Sequence, residues 1–326
     1  MNRSRIEWCD HTLNIVTGCR HGCEYCYAKQ MVRRFSGNIK KNKTEIEKFR
    51  MESGGYVLDQ PFLDETQGQV HYPFGFEPTY HRYRFDILDK LKMGQNIFVG
   101  AMGDLFGDFI PEHWIQDVFT ECEIHPKNNY IFLTKNPERY GKIRLMDGNS
   151  IYGTSITKED EIERIGFLPK DKKCFVSFEP LLEDVFPEEH TELIKKLDWI
   201  IIGAETGHRQ GKVFPEESWI KKIVDAADKF NIPVFMKDSL VPIVGEKNMR
   251  TDLPEVLKRR EMSEKVKGRL VSNCAACGKE LWKNQMVTIT VRKKRGGNQK
   301  SLCHICDECL EKFCEKYNLQ TPNLDD

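Results

Sequence analysis

The chain has 326 residues, of which 39% are hydrophobic and 31% charged, with 50 Lys+Arg balanced by 50 Asp+Glu. That composition fits a globular chain long enough for one large domain and a small one, each around an apolar core. The longest aliphatic candidate for a membrane span, Trp199–Ile202, is far too short to cross a bilayer. Met1–Asp10 is charged and lacks an apolar stretch, so no secretory signal is expected. The 12 cysteines then imply a reducing, cytoplasmic setting, where clustered thiols act as metal ligands rather than disulfides.

The first informative stretch follows the extended run Thr12–Thr17. Cys19, Cys23 and Cys26 stand at C-x3-C-x2-C spacing, with Tyr25 just before the third thiol. Thiolates are soft ligands suited to zinc or to iron–sulfur clusters. Three of them fall one short of a closed structural zinc site, which would need to borrow Cys9 or His21. A 4Fe–4S cluster on three thiolates instead keeps one iron open. Tyr27–Phe35 reads as a helix from its three- and four-residue apolar spacing. Residues 36–80 lack clear periodicity and read as an insertion over the mouth of the fold.

From residue 84 onward, β-rich runs at 96–102, 130–134, 151–156, 174–178, 199–203 and 233–237 alternate with helical patterns. The clearest helices are 112–122, 188–197 and 217–230. With the strand before Cys19, this predicts an α/β fold of parallel βαβ units, a partial (β/α) barrel. Each run ends in reactive side chains: Asp104, then Thr134 and Lys135, Ser155 and Thr157, Glu179, Glu205, and Lys237 with Asp238. Parallel barrels gather their chemistry at that end of the strands.

Residues 246–270 read as a charged connector. The tail, 271–326, holds two C-x2-C knuckles, Cys274/Cys277 and Cys306/Cys309, separated by 28 residues. A strand at 286–291 and a hairpin tip at Arg292–Gly297 lie between them. The pattern predicts a zinc-ribbon-like module, with an auxiliary iron–sulfur cluster as the alternative. Residues 250–326 carry 16 Lys+Arg and 11 Asp+Glu, a net of +5, which leaves −5 on the remainder. A basic tail points to a polyanionic partner, and Arg292–Arg295 at a ribbon tip suits phosphate contacts.

The cysteine spacing, with its preceding tyrosine, resembles the cluster motif of the radical S-adenosylmethionine (radical SAM) superfamily. Ile6-Glu7-Trp8, Val16-Thr17-Gly18-Cys19, Asp104-Leu105-Phe106, Leu133-Thr134-Lys135, Ser177–Leu182 and Gly203–Gly207 are similar to a phage- and bacterium-encoded group of radical-SAM-like proteins of unknown function. The likeness spans roughly residues 5–240 and departs mildly at Ala204 and Thr206. It implies a radical SAM partial barrel over residues 1–245 in which Cys19, Cys23 and Cys26 ligate a 4Fe–4S cluster. The open iron would chelate SAM, whose reductive cleavage yields a 5′-deoxyadenosyl radical. Gly103 and Asp104 would meet the SAM amine. Ser155, Glu179 and Glu205 become candidates for the ribose hydroxyls, the amine or the substrate, and Gly203 and Gly207 would allow close approach. Lys135 and Lys237 suit a SAM carboxylate or a substrate phosphate. A reductant such as flavodoxin or ferredoxin would be a partner, and a nucleic acid or nucleotide the expected substrate ahead of a peptide. The competing expectation is a zinc-binding nucleic-acid or protein interaction module without catalysis.

Overall fold

Strand β1 (His11–Leu13) opens the chain and β2 (Val16–Thr17) follows it, leading through the cysteine loop into α1 (Tyr27–Arg34) and α2 (Ile39–Asn42). Three short strands come next: β3 (Arg50–Glu52), β4 (Gly55–Leu58) and β5 (Thr79–His81). Then β6 (Asn96–Val99), α3 (Glu112–Glu123), β7 (Asn129–Thr134), β8 (Ser150–Ser155), β9 (Lys173–Phe178), β10 (Trp199–Ile202), α4 (Glu217–Lys229) and β11 (Val234–Met236) alternate. This computed structural model describes residues 4–91, 94–185, 188–206, 209 and 211–257, and strands at 270–273, 280–282, 287–291 and 300–305.

β1 and β6 to β11 form one seven-stranded sheet whose spatial order is the chain order, every pair parallel. The expected parallel α/β sheet is therefore present. Its two faces separate by the period-two rule of strands. Ile97, Val99, Tyr130, Phe132, Tyr152, Val176, Ile200, Ile202 and Val234 share one core with Trp114, Ile115 and Val118 of α3 and Ile220 and Ile223 of α4. In α4 the buried positions 220, 223, 226 and 227 recur at helical spacing, which presses one stripe onto the sheet. Each fully buried isoleucine there contributes about 1.5–3 kcal/mol relative to exposure.

The alternate residues face the other way, and four of them, Phe98, Phe175, Trp199 and Phe235, are aromatic. Trp8, set just before β1, packs on Phe98 of β6 at 4.8 Å and on Trp199 of β10 at 5.8 Å. Trp199 in turn meets Phe175 of β9 at 5.4 Å. A residue beside the first strand touches the sixth only if the sheet curls, so the seven strands form an open, curled half-barrel.

Three of the four expected helices form as α-helices, whereas the segment 188–197 tightens into a 3-10 helix at Glu188–Lys196. The stretch 36–80 is more ordered than its sequence suggested. β3, β4 and β5 join β2 in a second sheet of order β2-β5-β4-β3. This sheet encloses a separate core of Leu58, Phe62, Val70 and Phe74, against which Phe49 and Tyr56 pack. Phe49, Phe62 and Phe74, too irregularly spaced to signal a strand, thus stabilise it from outside the strands.

The first compact unit runs to Leu257. Residues after 245 add to the sheet edge, where Phe235 bridges Thr251, and the Trp199 indole donates to the Asp252 carbonyl at 3.0 Å. The second unit spans Lys258–Asp326. In it Leu270–Asn273 pairs antiparallel with Glu280–Trp282, and Val287–Val291 with Lys300–Ile305. The proposed zinc ligands Cys274, Cys277, Cys306 and Cys309 lie outside the described residues, as do Arg292–Arg295 and Gly207.

Candidate cofactor site at the mouth of the sheet

The cysteine loop leaves β2 at a crossing of bare backbones. Gly18 bridges Gly103, the Gly18 N–H donates to the Met102 carbonyl at 2.9 Å, and the Cys19 N–H donates to the Phe76 carbonyl at 3.0 Å. A Cβ on Gly18 would lie 2.3 Å from the Glu77 carbonyl oxygen, and its φ of +89° also excludes ordinary side chains. A Cβ on Gly103 would lie 2.6 Å from the Gly18 carbonyl oxygen. Gly103 therefore seats the loop, and no larger residue fits.

Along the loop the three thiols are partly buried. The Cys19 sulfur accepts the His21 N–H at 3.5 Å, and the Cys26 sulfur, capping α1, accepts the Lys29 N–H at 3.4 Å. Burial pushes the Cys19 thiol up to about 12, and the neighbouring Asp104, Cys23 and Cys26 add to the shift. Burial also raises Cys26. The thiols thus share one electrostatic neighbourhood at the C-terminal ends of the strands. Among the described residues, no group of three or more His, Cys, Asp and Glu converges on a single ion position.

The residues between the cysteines attach the loop to the rim. The His21 ring nitrogen Nε2 lies 2.8 Å from Asp104 Oδ2 after β6. Glu24 lies 3.6 Å from Arg209, which grips Glu205 after β10 with two hydrogen bonds of 2.7 and 2.8 Å. The Tyr25 hydroxyl donates to Thr157 after β8 at 3.5 Å, and the Tyr27 hydroxyl to the Ala101 carbonyl at 2.7 Å. One nine-residue loop therefore contacts the ends of β6, β8 and β10.

Asp104 is 6% exposed, and its two oxygens take four donors. Oδ1 accepts the Phe106 N–H at 3.0 Å and the Thr134 hydroxyl at 2.7 Å. Oδ2 accepts from the Lys135 N–H at 2.9 Å and meets His21. Burial works to raise its carboxyl, but His21, the Lys135 N–H and Thr134 hold it below the usual carboxylate value. The expectation of a free acceptor for a ligand amine meets a carboxylate already filled by this chain's own donors.

Glu179 and Lys237, from the ends of β9 and β11, form an ion pair. Burial opposes the charge on Lys237, yet Glu179 holds its ammonium above the ordinary lysine value. Gly203 lies under this pair. A Cβ there would come within 3.1 Å of both Glu179 and Lys237 side-chain carbons, so its close approach serves the ion pair. Ser155 is buried at the end of β8 beside Ser177. Glu205 is 3% exposed, and Arg209 chiefly holds its carboxyl low.

Sequence reading had singled out the strand-end residues but missed Arg209 and Glu24 as a bracket. Its only trace in sequence is Arg209 four residues after Glu205. The most telling group is Lys135. Its Nζ is buried with no hydrogen-bond partner among the described residues, 5.4 Å above the Tyr25 ring. A buried ammonium without a hydrogen-bond acceptor is costly; the Glu161 carboxylate, held low in part by Lys135, compensates its charge without forming an ion pair with it.

Fold and site together define a curled parallel α/β half-barrel with a three-cysteine loop fastened across its C-terminal rim. The chain belongs to the family described as "Protein of unknown function (DUF5131)", whose model matches residues 3–297. No curated protein matches it in sequence. Among solved structures it is similar to a mutant spore photoproduct lyase holding dinucleoside spore photoproduct, at 10% identity and a TM-score of 0.41, over 98% of this chain and 75% of that one. A double mutant of that lyase with bound AdoMet and the same dinucleoside is similar at 10% identity and a TM-score of 0.36, over 94% and 77% of the two chains. No helix among the described residues is long and apolar enough to cross a membrane.

Proposed function

We propose that this chain is a radical SAM enzyme whose cluster is held by Cys19, Cys23 and Cys26. The carrying observation is the three-thiol loop fastened to the strand ends, with the buried Lys135 ammonium left without an acceptor beside Tyr25. The donor set fits the group. Three soft thiolates match iron–sulfur ligation, and the N–H groups of His21 and Lys29 already point at two of the sulfurs. The two residues considered as a fourth zinc ligand are engaged elsewhere, His21 with Asp104 and the buried Cys9 sulfur with the Ser4 hydroxyl at 3.4 Å. When bound, a 4Fe–4S cluster with SAM on its open iron supplies one-electron reductive cleavage of the sulfonium to methionine and a 5′-deoxyadenosyl radical.

The protein's own part is positional. Asp104 sets His21, and Arg209 with Glu205 sets Glu24, so the loop is tied to the rim at two points between its cysteines. Lys135 offers charge compensation to an anionic group at the loop, either the thiolate-ligated cluster or the carboxylate of SAM. Ser155 and the Glu179–Lys237 pair line the rim for ribose hydroxyls or substrate. An electron donor such as flavodoxin or ferredoxin completes the requirement.

The test is anaerobic reduction by dithionite with SAM present. Release of 5′-deoxyadenosine by the intact protein, and its loss in Cys19→Ala, Cys23→Ala and Cys26→Ala, is expected. A protein that loads iron yet never cleaves SAM would overturn the assignment.

A further inference from the structure

Helix α1 begins at the residue after Cys26, so whatever it binds lies at the edge of the cysteine loop. Its rows of residues four apart divide the surface cleanly. Ala28 and Val32 point inward and pack with Met102. Beside them Tyr27, Met31 and Phe35 form an apolar row left 48%, 42% and 49% exposed. The remaining rows carry Lys29 with Arg33, and Gln30 with Arg34. Phe35 also meets the exposed His71 ring edge-on at 6.5 Å. Large exposed apolar side chains in a row call for a partner.

The charge here runs against that of the body. Residues 27–50 hold 8 Lys+Arg and 2 Asp+Glu, although residues 1–249 carry a net of −5. Lys29, Arg33, Arg34, Lys40 and Lys43 are exposed, and none forms an ion pair with a described residue. Cations unneutralised by the chain itself, interleaved with exposed rings, make a surface for phosphates on one side and unpaired bases on the other. A membrane-binding helix would need a broad apolar face, whereas α1 offers a single three-residue row flanked by its own buried contacts.

We infer that the outer face of α1, with the turn through Lys43, binds single-stranded nucleic acid and delivers it to the rim beside the cysteine loop. This deepens the proposed function by naming a substrate class, and rests on it only for calling the strand a substrate. Binding itself needs neither iron nor SAM.

The experiment titrates the full-length chain, without SAM, into fluorescein-labelled oligothymidylate and reads fluorescence anisotropy across a salt series. Changing Arg33, Arg34 and Lys40 together to Ser should weaken binding at low salt by about tenfold or more. It should also flatten the slope of log affinity against log salt by about 2, at roughly 0.7 per lost phosphate contact. Phe35→Ala should weaken single-strand binding by about 5- to 100-fold, and Phe35→Trp should restore it. These side chains are exposed, and an unchanged circular-dichroism melt confirms that each variant folds. Unaltered affinity and slope in the triple variant would place binding elsewhere on the chain and overturn the inference. So would attachment to phosphatidylserine vesicles without affinity for the oligonucleotide. Failure here leaves 5′-deoxyadenosine release untouched, and absence of that release leaves the anisotropy result standing.

Discussion

Replacing Asp104 by Asn isolates what holds the cysteine loop in place. The volume is kept, but one acceptor oxygen becomes an NH2. If the NH2 takes the Oδ2 position, it faces His21, which can accept by changing tautomer, and the Lys135 N–H, which cannot. At Oδ1 it faces the Thr134 hydroxyl, which can rotate to accept, and the Phe106 N–H, which cannot. Either way one buried backbone N–H meets a donor, at about 1–3 kcal/mol, and the remaining bonds lose their charge-assisted share, roughly 1 kcal/mol more. The total is about 2–4 kcal/mol. At about 2–4 °C per kcal/mol for a unit of this size, the melting temperature should fall by about 4–16 °C. Differential scanning fluorimetry of the full chain without SAM reads this directly. A change under about 1 °C, coupled with lost SAM affinity, would refute the positioning role and restore Asp104 as a free acceptor for the ligand amine.

Gly203→Ala should cost about 1–3 kcal/mol by overpacking the Glu179–Lys237 pair, read from the urea midpoint at unchanged m-value. Gly103→Ala, whose Cβ meets backbone at 2.6 Å rather than movable side chains, should cost more; the reverse order would contradict the packing described. Acid titration should expose Glu205. Its folded carboxyl is depressed, chiefly by Arg209, from an ordinary 4.5, so its contribution is complete above that value and is lost as pH falls through the lower folded value. Glu205→Gln should therefore flatten the acid limb of stability below pH 4.5, and an acid limb identical to that of the parent chain would remove the pair from the stability of the loop bracket.

The sheet was legible because its strands are short runs of β-branched and aromatic residues ending in polar side chains, a pattern local to each run. Even the order of strands follows from right-handed parallel crossovers between sequence neighbours. The second sheet was not legible. β2, β3, β4 and β5 are two to four residues long, too short for periodicity, and Phe62 and Phe74, which hold them, lie outside the strands. At the site, the cysteines and strand-end carboxylates announced themselves by type and position. Their partners did not, because His21 with Asp104 and Glu24 with Arg209 are joined across 83 and 185 residues by the curl of the sheet, which no local signal encodes. Lys135 was visible as a residue, but its lack of an acceptor is a property of the folded site alone.

The most direct measurement of the central claim is iron and acid-labile sulfide in protein reconstituted without oxygen, comparing the parent chain with a variant in which Cys19, Cys23 and Cys26 are all Ala. About four irons and four sulfides per chain that vanish in the variant are expected for a three-thiolate cluster with one open iron. Zinc in place of iron at this loop, or iron retained in full by the variant, would contradict it.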